Sequence, residues 1–545
     1  MDDQKICRIC SKASVLKCSA CEDVYYCGKR HQKKDWDEHS KLCKPFKVAR
    51  NELLGRHYVA TRNIKAGEIV LRDEKPMVDG PMNNCMPVCL RCYTVLKKSI
   101  ATPCEKCGWP LCGKCNEHGL ECEFTTSRRE TKVSITEFDY PHPSYRCISV
   151  IRALSLKTIR PELYEKFLSL ESHSNLVNNE GGFTFERPLD VVSFVKRFFK
   201  TDDITDEEIK KVIGIIQVNG HEVPLTEPAY VAVYEQASLL EHSCRANCSK
   251  SFTDSGGLVV HAAVPITKGE HVSICYTDPL WGTANRRHHL WTTKFFECVC
   301  ERCRDPTEFG TMFNGLKCDR TKYCQGCMLP ASFLGLEPSD YACDVCLSTK
   351  PIEEVEGTLM DIGLHLSDMR KHDVVVCRHF LHHYKDVLHE NHYYNVDVTV
   401  ALSQLIGQQA GGLATVEESF LSEKIDLCKK LDCLLRTLVP AENRVRGLIL
   451  FELHAALAEV SRRHPEADNI NTLLEGAVEV SPKFHNDICN DLEFTNEKPS
   501  RVEEGVGRCL SATEVRAEVS AGGEDSLSGR EKSAGDEQSS QTTHG

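Results

Sequence analysis

The residue types with most chemistry to offer in this chain are its 31 cysteines, and their spacing is patterned. The first run reads Cys7-x2-Cys10-x7-Cys18-x2-Cys21-x5-Cys27-x3-His31-x7-His39-x3-Cys43. Thiolates and imidazoles are preferred zinc ligands, four to an ion in a closed structural site, so these residues suffice for two tetrahedra. A pair close in sequence spans one edge of a tetrahedron, and a distant pair must complete it. The expected sharing is interleaved, with Cys7, Cys10, Cys27 and His31 on one ion and Cys18, Cys21, His39 and Cys43 on the other. Structural zinc contributes roughly 10 kcal/mol or more of apparent folding free energy, enough to replace the apolar core that so short a module lacks.

A further run, Cys89-x2-Cys92-x11-Cys104-x2-Cys107-x4-Cys112-x2-Cys115-x2-His118-x3-Cys122, repeats the arrangement. The same interleaving gives Cys89, Cys92, Cys112 and Cys115 to one ion, and Cys104, Cys107, His118 and Cys122 to the other. Cys298-x-Cys300-x2-Cys303 offers three thiolates, and Cys244 is the candidate fourth. Cys324-x2-Cys327 and Cys343-x2-Cys346 make a four-cysteine ribbon in which Cys318 could substitute for one ligand. The remaining cysteines read as buried thiols. The chain opens Met-Asp-Asp-Gln-Lys, and no window reaches the about 18 apolar residues of a membrane span. Nothing therefore points to an oxidising compartment, and dense cysteine reads as metal ligand rather than disulfide. Residence in the nucleus, the cytoplasm or both is expected.

The first run, with Tyr25-Tyr26 before Cys27 and Trp36 before His39, resembles the MYND finger; His31 stands where most such fingers place cysteine. The run from Cys89 to Cys122 resembles a shortened MYND finger. Three further segments then fall into order. Gly55-Arg56-His57 precedes Ile64-Lys65-Ala66-Gly67-Glu68; Ser238-Leu239-Leu240-Glu241-His242-Ser243-Cys244-Arg245-Ala246-Asn247 follows. Last, Lys268-Gly269-Glu270 leads into Ile274-Cys275-Tyr276 and then Cys298, Cys300 and Cys303. This order resembles the SET domain of protein lysine methyltransferases. A finger interrupting it after the first strands narrows the likeness to the SET-and-MYND (SMYD) family. The extra N-terminal finger and the text of residues 300–310 resemble its arthropod SmydA-type branch.

The resemblance implies roles. S-adenosyl-L-methionine would be the methyl donor, approached by Arg56, with Asn219 holding its amino acid part. Glu241 and His242 would line the pocket, Phe296 would stack on adenine, and Tyr276 would be catalytic. Cys244 would be the thiolate shared with the post-SET zinc. Partners would be substrate lysines of histone tails or other proteins, and proline-containing peptides on the fingers. Two positions depart from the family: His57 replaces the second glycine of the start loop, and Glu241 replaces an asparagine. A side chain at 57 would crowd the cofactor, and a carboxylate at 241 would either pair with its positive centres or repel its carboxylate.

These residues need a scaffold of mixed type. The expected fold class is α+β: a β-rich SET fold with a helical insert, zinc-binding MYND modules, a post-SET zinc site and an α-helical C-terminal domain. The expected divisions are an N-terminal finger (1–46), the first SET part (47–88), the second finger (89–122) and the helical insert (123–217). The core SET (218–280), the post-SET and ribbon (281–350), helices (351–485) and a disordered tail (490–545) follow. Ile204-to-Ile216 reads as a helix capped by Asp202 or Thr205. Val272, Ile274 and Tyr276 alternate as a strand does. Leu427, Leu431, Leu434 and Leu438 form one helical stripe; Leu450, Leu453, Leu457 and Val460 form another. A net charge of -12, with no clear recognition helix, argues against direct nucleic-acid binding.

Overall fold

The computed structural model describes residues 6–464, apart from 15, 19–20, 22–23, 53, 175–187 and 336–338. The expected tail and the last part of the expected helical domain, from 465 on, lie outside the described residues.

The chain begins with a strand pair, β1 (Leu16–Lys17) and β2 (Tyr25–Tyr26), and a helix, α1 (Lys29–Leu42). Among the described residues of this module the buried apolar cluster is Cys7, Cys18, Cys21 and Tyr26, with His39 buried beside it, so the ligands make up most of the core. Tyr26 adds a hydrogen bond from its hydroxyl to Asp35 Oδ2 at 2.6 Å.

Next, β3 (Phe46–Asn51) pairs antiparallel with β4 (Gly55–Ala60), Gly55 supplying a φ of +63° at the turn. β5 (Ile69–Asp73) and β6 (Val78–Pro81) continue the body. The second cysteine run holds the hairpin β7 (Ala101–Pro103) and β8 (Pro110–Cys112), closed by α2 (Glu121–Arg128). Then come α3 (Ile148–Ile159), α4 (Pro161–Leu168), α5 (Pro188–Phe199) and α6 (Asp206–Asn219). Ile148, Val150, Ile151, Ala153, Leu154 and Leu156 are all buried, so α3 is covered on every side and forms the hub of the largest core. Thr205 caps α6, its hydroxyl accepting from Glu208 N at 3.1 Å.

Six short strands follow: β9 (His221–Val223), β10 (Tyr230–Val233), β11 (Glu241–His242), β12 (Cys248–Phe252), β13 (Leu258–Ala262) and β14 (Ser273–Ile274). They build the sheets β6-β10-β9 and β12-β13-β5, and β11 lies parallel beside β14 with His242 opposite Ile274. The alternation through Tyr276 is realised as a strand only over Ser273–Ile274, because the Tyr276 N–H turns aside to His242 Nδ1 at 3.0 Å.

α7 (Thr283–Lys294) and α8 (Glu301–Arg304) lead to a four-stranded sheet of β15 (Leu316–Lys317), β16 (Cys327–Pro330), β17 (Tyr341–Cys343) and β18 (Thr349–Lys350). The helices α9 (Ile352–Asp368), α10 (Val374–His383), α11 (Tyr393–Leu405), α12 (Glu418–Leu438) and α13 (Asn443–Arg463) complete the described chain. Leu431, Leu434 and Leu438 of α12 share a core with Leu450, Leu453 and Leu457 of α13, which joins the two leucine stripes. Arg245 Nε donates to Thr437 O at 2.8 Å, and Asn443 Nδ2 donates to Ser249 Oγ at 3.0 Å, tying these helices to the sheet body.

Candidate functional site

Five tetrads converge with the expected sharing: Cys7, Cys10, Cys27 and His31; Cys18, Cys21, His39 and Cys43; Cys89, Cys92, Cys112 and Cys115; Cys104, Cys107, His118 and Cys122; Cys244, Cys298, Cys300 and Cys303. A zinc tetrahedron with Zn–S of about 2.3 Å places its sulfurs roughly 3.8 Å apart. Cys10–Cys27 and Cys92–Cys112 stand at 3.6 Å, Cys18–Cys43 at 3.7 Å, and Cys104–Cys122 and Cys244–Cys298 at 3.9 Å. These separations far exceed the roughly 2.05 Å of a disulfide, so donor set and geometry both fit zinc.

The ribbon corrects one ligand. Cys318 Sγ lies 3.6 Å from Cys346 and Cys324 Sγ lies 3.7 Å from Cys343, and Cys324 reaches all three of the others. Cys327 stands outside this tetrad. It is the first residue of β16, and its sulfur faces Gly315, where an added Cβ would come within 2.2 Å of it. The functional knuckle is Cys343-x2-Cys346, whose Val345 and Cys346 N–H groups point at Cys343 Sγ at 3.4 and 3.5 Å. Strand pleating decides the exchange: Cys327 is turned to the opposite face, while Cys318, just past β15, arrives on the ligand side.

Around the post-SET tetrad lies a fully buried charge cluster. Arg286 and Arg302 both pair with Glu308, and Arg302 Nη1 donates to the carbonyls of Cys244 at 3.2 Å and Pro279 at 2.7 Å. Four thiolates on a divalent ion leave two negative charges, which this cluster, one positive charge in excess, faces from the protein side. Cysteine spacing gave no hint of it.

The residues expected to hold a cofactor close into a ring. Arg56 Nη2 donates to Ser169 O at 2.6 Å, and Asn219 Nδ2 donates to Glu171 O at 2.8 Å, so both grip one turn after α4. Lys294 Nζ donates to Gln217 O at 3.1 Å and Val218 O at 3.0 Å, joining the end of α6 to the segment carrying Phe296. Burial, with Lys250 nearby, lowers the Lys294 ammonium to about 8. Phe296 lies 5.8 Å from the His242 ring, and His242 lies 5.3 Å from the Tyr276 ring. The Tyr276 hydroxyl donates to the Leu240 carbonyl. Burial, with Glu241 adding its charge, pushes the phenol well above its usual range, so it stays protonated. On the far side, Glu241 Oε2 accepts from His271 Nδ1 at 2.8 Å, and His271 packs on His57 at 4.7 Å. His57 adjoins Arg56, and the circuit is complete.

The sequence matches the MYND finger family over residues 7–43 and the SET domain family over residues 55–277. Isoform B of the Drosophila melanogaster SET domain-containing protein SmydA-8 is 30% identical over 56% of this chain and 67% of its own length. The chain belongs to the SET-and-MYND family. Isoform A of the same fly protein, 27% identical over 56% of this chain and 65% of its own length, sets it beside the arthropod SmydA branch. Mouse histone-lysine N-methyltransferase SMYD3 is 26% identical over 42% of this chain and 51% of its own length. The chain thus spans about two thirds or less of the curated relatives it matches. Rubisco LSMT bound to AdoMet aligns over 90% of this chain at 12% identity with a TM-score of 0.26, a likeness too slight to bear on the assignment.

In this SET-and-MYND protein the two departures from the family are joined. The His57 side chain is buried, its Nδ1 3.1 Å from Gly55 O, and it braces the His271 imidazole that takes up Glu241. His271 gave no signal in the sequence, since it lies two residues before a strand with no motif of its own. Asn247, the end of the segment that carries His242, binds the chain entering β14: its Nδ2 donates to His271 O at 2.7 Å and its Oδ1 accepts from Ser273 N at 2.9 Å. Asn219 has both its amide donor bonds within the protein, the other to Ile215 O at 2.9 Å.

Proposed function

We propose that this chain is an S-adenosyl-L-methionine-dependent protein lysine N-methyltransferase, acting on histone or other protein lysines in the nucleus, the cytoplasm or both. The observation that carries the reading is the closed ring running Arg56, His57, His271, Glu241, His242, Phe296, Lys294, Asn219 and back through the 169–171 turn, with Tyr276 beside His242. Relatives named as histone-lysine and N-lysine methyltransferases support it. When bound, the cofactor supplies an electrophilic methyl on a sulfonium. The chain's own work is to seat, orient and dry. Arg56, Asn219 and Phe296 would hold the cofactor from three elements. Desolvation in the pocket lowers the pKa of a lysine ammonium there, so its proton is released to water and the amine lone pair is freed. Tyr276, protonated with its hydroxyl hydrogen given to the Leu240 carbonyl, offers its oxygen as an acceptor that orients the amine, and is neither base nor nucleophile. An in-line displacement rewards that positioning directly. The all-cysteine post-SET cluster has no open position and serves structure.

The test is calorimetry of S-adenosylmethionine on zinc-replete protein, followed by labelled-methyl transfer to histones and peptide arrays. Measurable affinity is expected, and Tyr276→Phe should lower transfer by roughly 10²-fold while leaving affinity nearly unchanged. No detectable affinity would sink the assignment. A non-catalytic adaptor is the other reading, favoured by Trp36, whose indole is 46% exposed on the first finger where a proline-containing peptide could pack. It predicts peptide binding lost in Trp36→Ala, with no methyl transfer.

A further inference from the structure

A concentration of imidazoles lies outside every cysteine tetrad, on the first two helices of the C-terminal region. α10 carries His379 and His383 one turn apart, their rings stacked with centroids at 5.9 Å. His365 on α9 meets His383 edge to face at 6.2 Å. All three are exposed. Among the described residues no hydrogen bond engages the rings of His379 or His383. His365 is oriented: its Nδ1 lies 2.8 Å from the Tyr384 hydroxyl, which leaves Nε2 as its open nitrogen. Fixing one imidazole nitrogen by a hydrogen bond is how proteins aim the other at a metal. Two imidazoles on one ion, with metal–nitrogen bonds of about 2.0–2.1 Å, have centroids roughly 5–6 Å apart, within small side-chain rotations of the arrangement seen. The surrounding charges agree. Lys385 is directed at His382, 3.4 Å from its Nε2, and Asp361, one turn before His365 on α9, puts a carboxylate close to Tyr384.

We infer that His365, His379 and His383 form a further divalent-metal site, three imidazoles with a coordination position left to water, suited to zinc or nickel. Position 380 is Phe, where a metallohydrolase helix of the His-Glu-x-x-His type would carry its glutamate base, so the site holds metal without hydrolytic machinery. Its effect is to clamp α9 to α10.

The experiment uses the full chain with zinc in its thiolate sites, dialysed first at about pH 5.5 to clear any ion held by imidazoles, then titrated with Ni²⁺ by calorimetry near pH 7.5, with Co²⁺ absorption in parallel. One equivalent beyond the thiolate sites should bind. His379→Ala and His383→Ala should each weaken binding by at least roughly tenfold, Tyr384→Phe should weaken it measurably, and His382→Ala should not. Lowering the pH to about 5.5 should release the ion, because imidazoles must be neutral to coordinate. The bound Co²⁺ should show ligand-field bands without a sulfur-to-cobalt charge-transfer band. Absence of an extra equivalent, unchanged affinity in the His379→Ala/His383→Ala double variant, or a sulfur band would overturn the site. All these positions but Tyr384 are exposed, so a variant that keeps its helical circular dichroism reports on metal alone.

Discussion

Cys318 and Cys327 exchange roles between the spacing rule and the folded ribbon, and the exchange is measurable. Cys318→Ser should lose one zinc per chain by native mass spectrometry, while Cys327→Ser should keep the full complement. Equal loss in both would contradict the tetrad described above. A buried histidine makes a pH prediction. His392 is wholly buried at the start of α11, with Nδ1 accepting from Tyr394 N at 3.3 Å and Nε2 without a partner. Burial, with His389 nearby, lowers its pKa from 6.5 to about 3. The folded state therefore refuses a proton that the unfolded chain takes up, so stability is full above pH 6.5 and falls as pH drops toward 3. From about pH 7.5 to 5.5 the expected loss is about 1.4 kcal/mol in urea unfolding. His392→Asn keeps a capping acceptor but should remove that slope relative to the parent; a slope unchanged by the substitution would refute the assignment.

Among the elements, the second finger is fastened to the SET body by one buried network. His118, a ligand candidate 3.2 Å from Cys107 Sγ, has its Nδ1 2.7 Å from Glu121 Oε1. Glu121 in turn accepts from Arg152 of α3, which also reaches Leu90 O at 2.6 Å, the Tyr93 hydroxyl at 2.7 Å and Asp79 Oδ1 at 2.9 Å. Burial pushes the Glu121 carboxyl up, but Arg152 and His118 outweigh it and hold it at about 2. A carboxylate that orients a ligand histidine raises metal affinity, and here its counter-charge belongs to the hub helix. Glu121→Gln should weaken zinc binding in this finger by roughly 10–100-fold in a chromophoric chelator assay. It should also cost about 3–5 kcal/mol, because Arg152 is left buried with its main partner neutral. Retention of both properties would show that finger and helix are independent.

Across the whole molecule, two kinds of core divide the stability. The first finger is packed around its own ligands, whereas α9 to α13 bury continuous apolar clusters. Strong chelation should therefore unfold the fingers and open the post-SET end of the ring, abolishing S-adenosylmethionine binding, while most of the far-ultraviolet helical signal persists. If chelated protein binds cofactor as before, zinc does not hold the ring closed.

Local pattern settled much of this. Interleaved pairing within the fingers was legible because ligands near in sequence must share an ion whatever surrounds them, and a cap at Asp202 or Thr205 was legible because a helix needs acceptors at its first turn, the structure choosing Thr205 for a helix that starts at Asp206. The leucine stripes of α12 and α13 were legible for the same reason, being periodic over a single element. The tertiary structure alone decided what depends on facing: which side of β16 Cys327 presents, and that His271 joins positions 57 and 241, distant in sequence. It also placed Arg152 beneath one zinc ligand and Arg302 against the backbone of another. Such partners are chosen by strand pairing and burial, where a lone His or Arg carries no spacing to announce it.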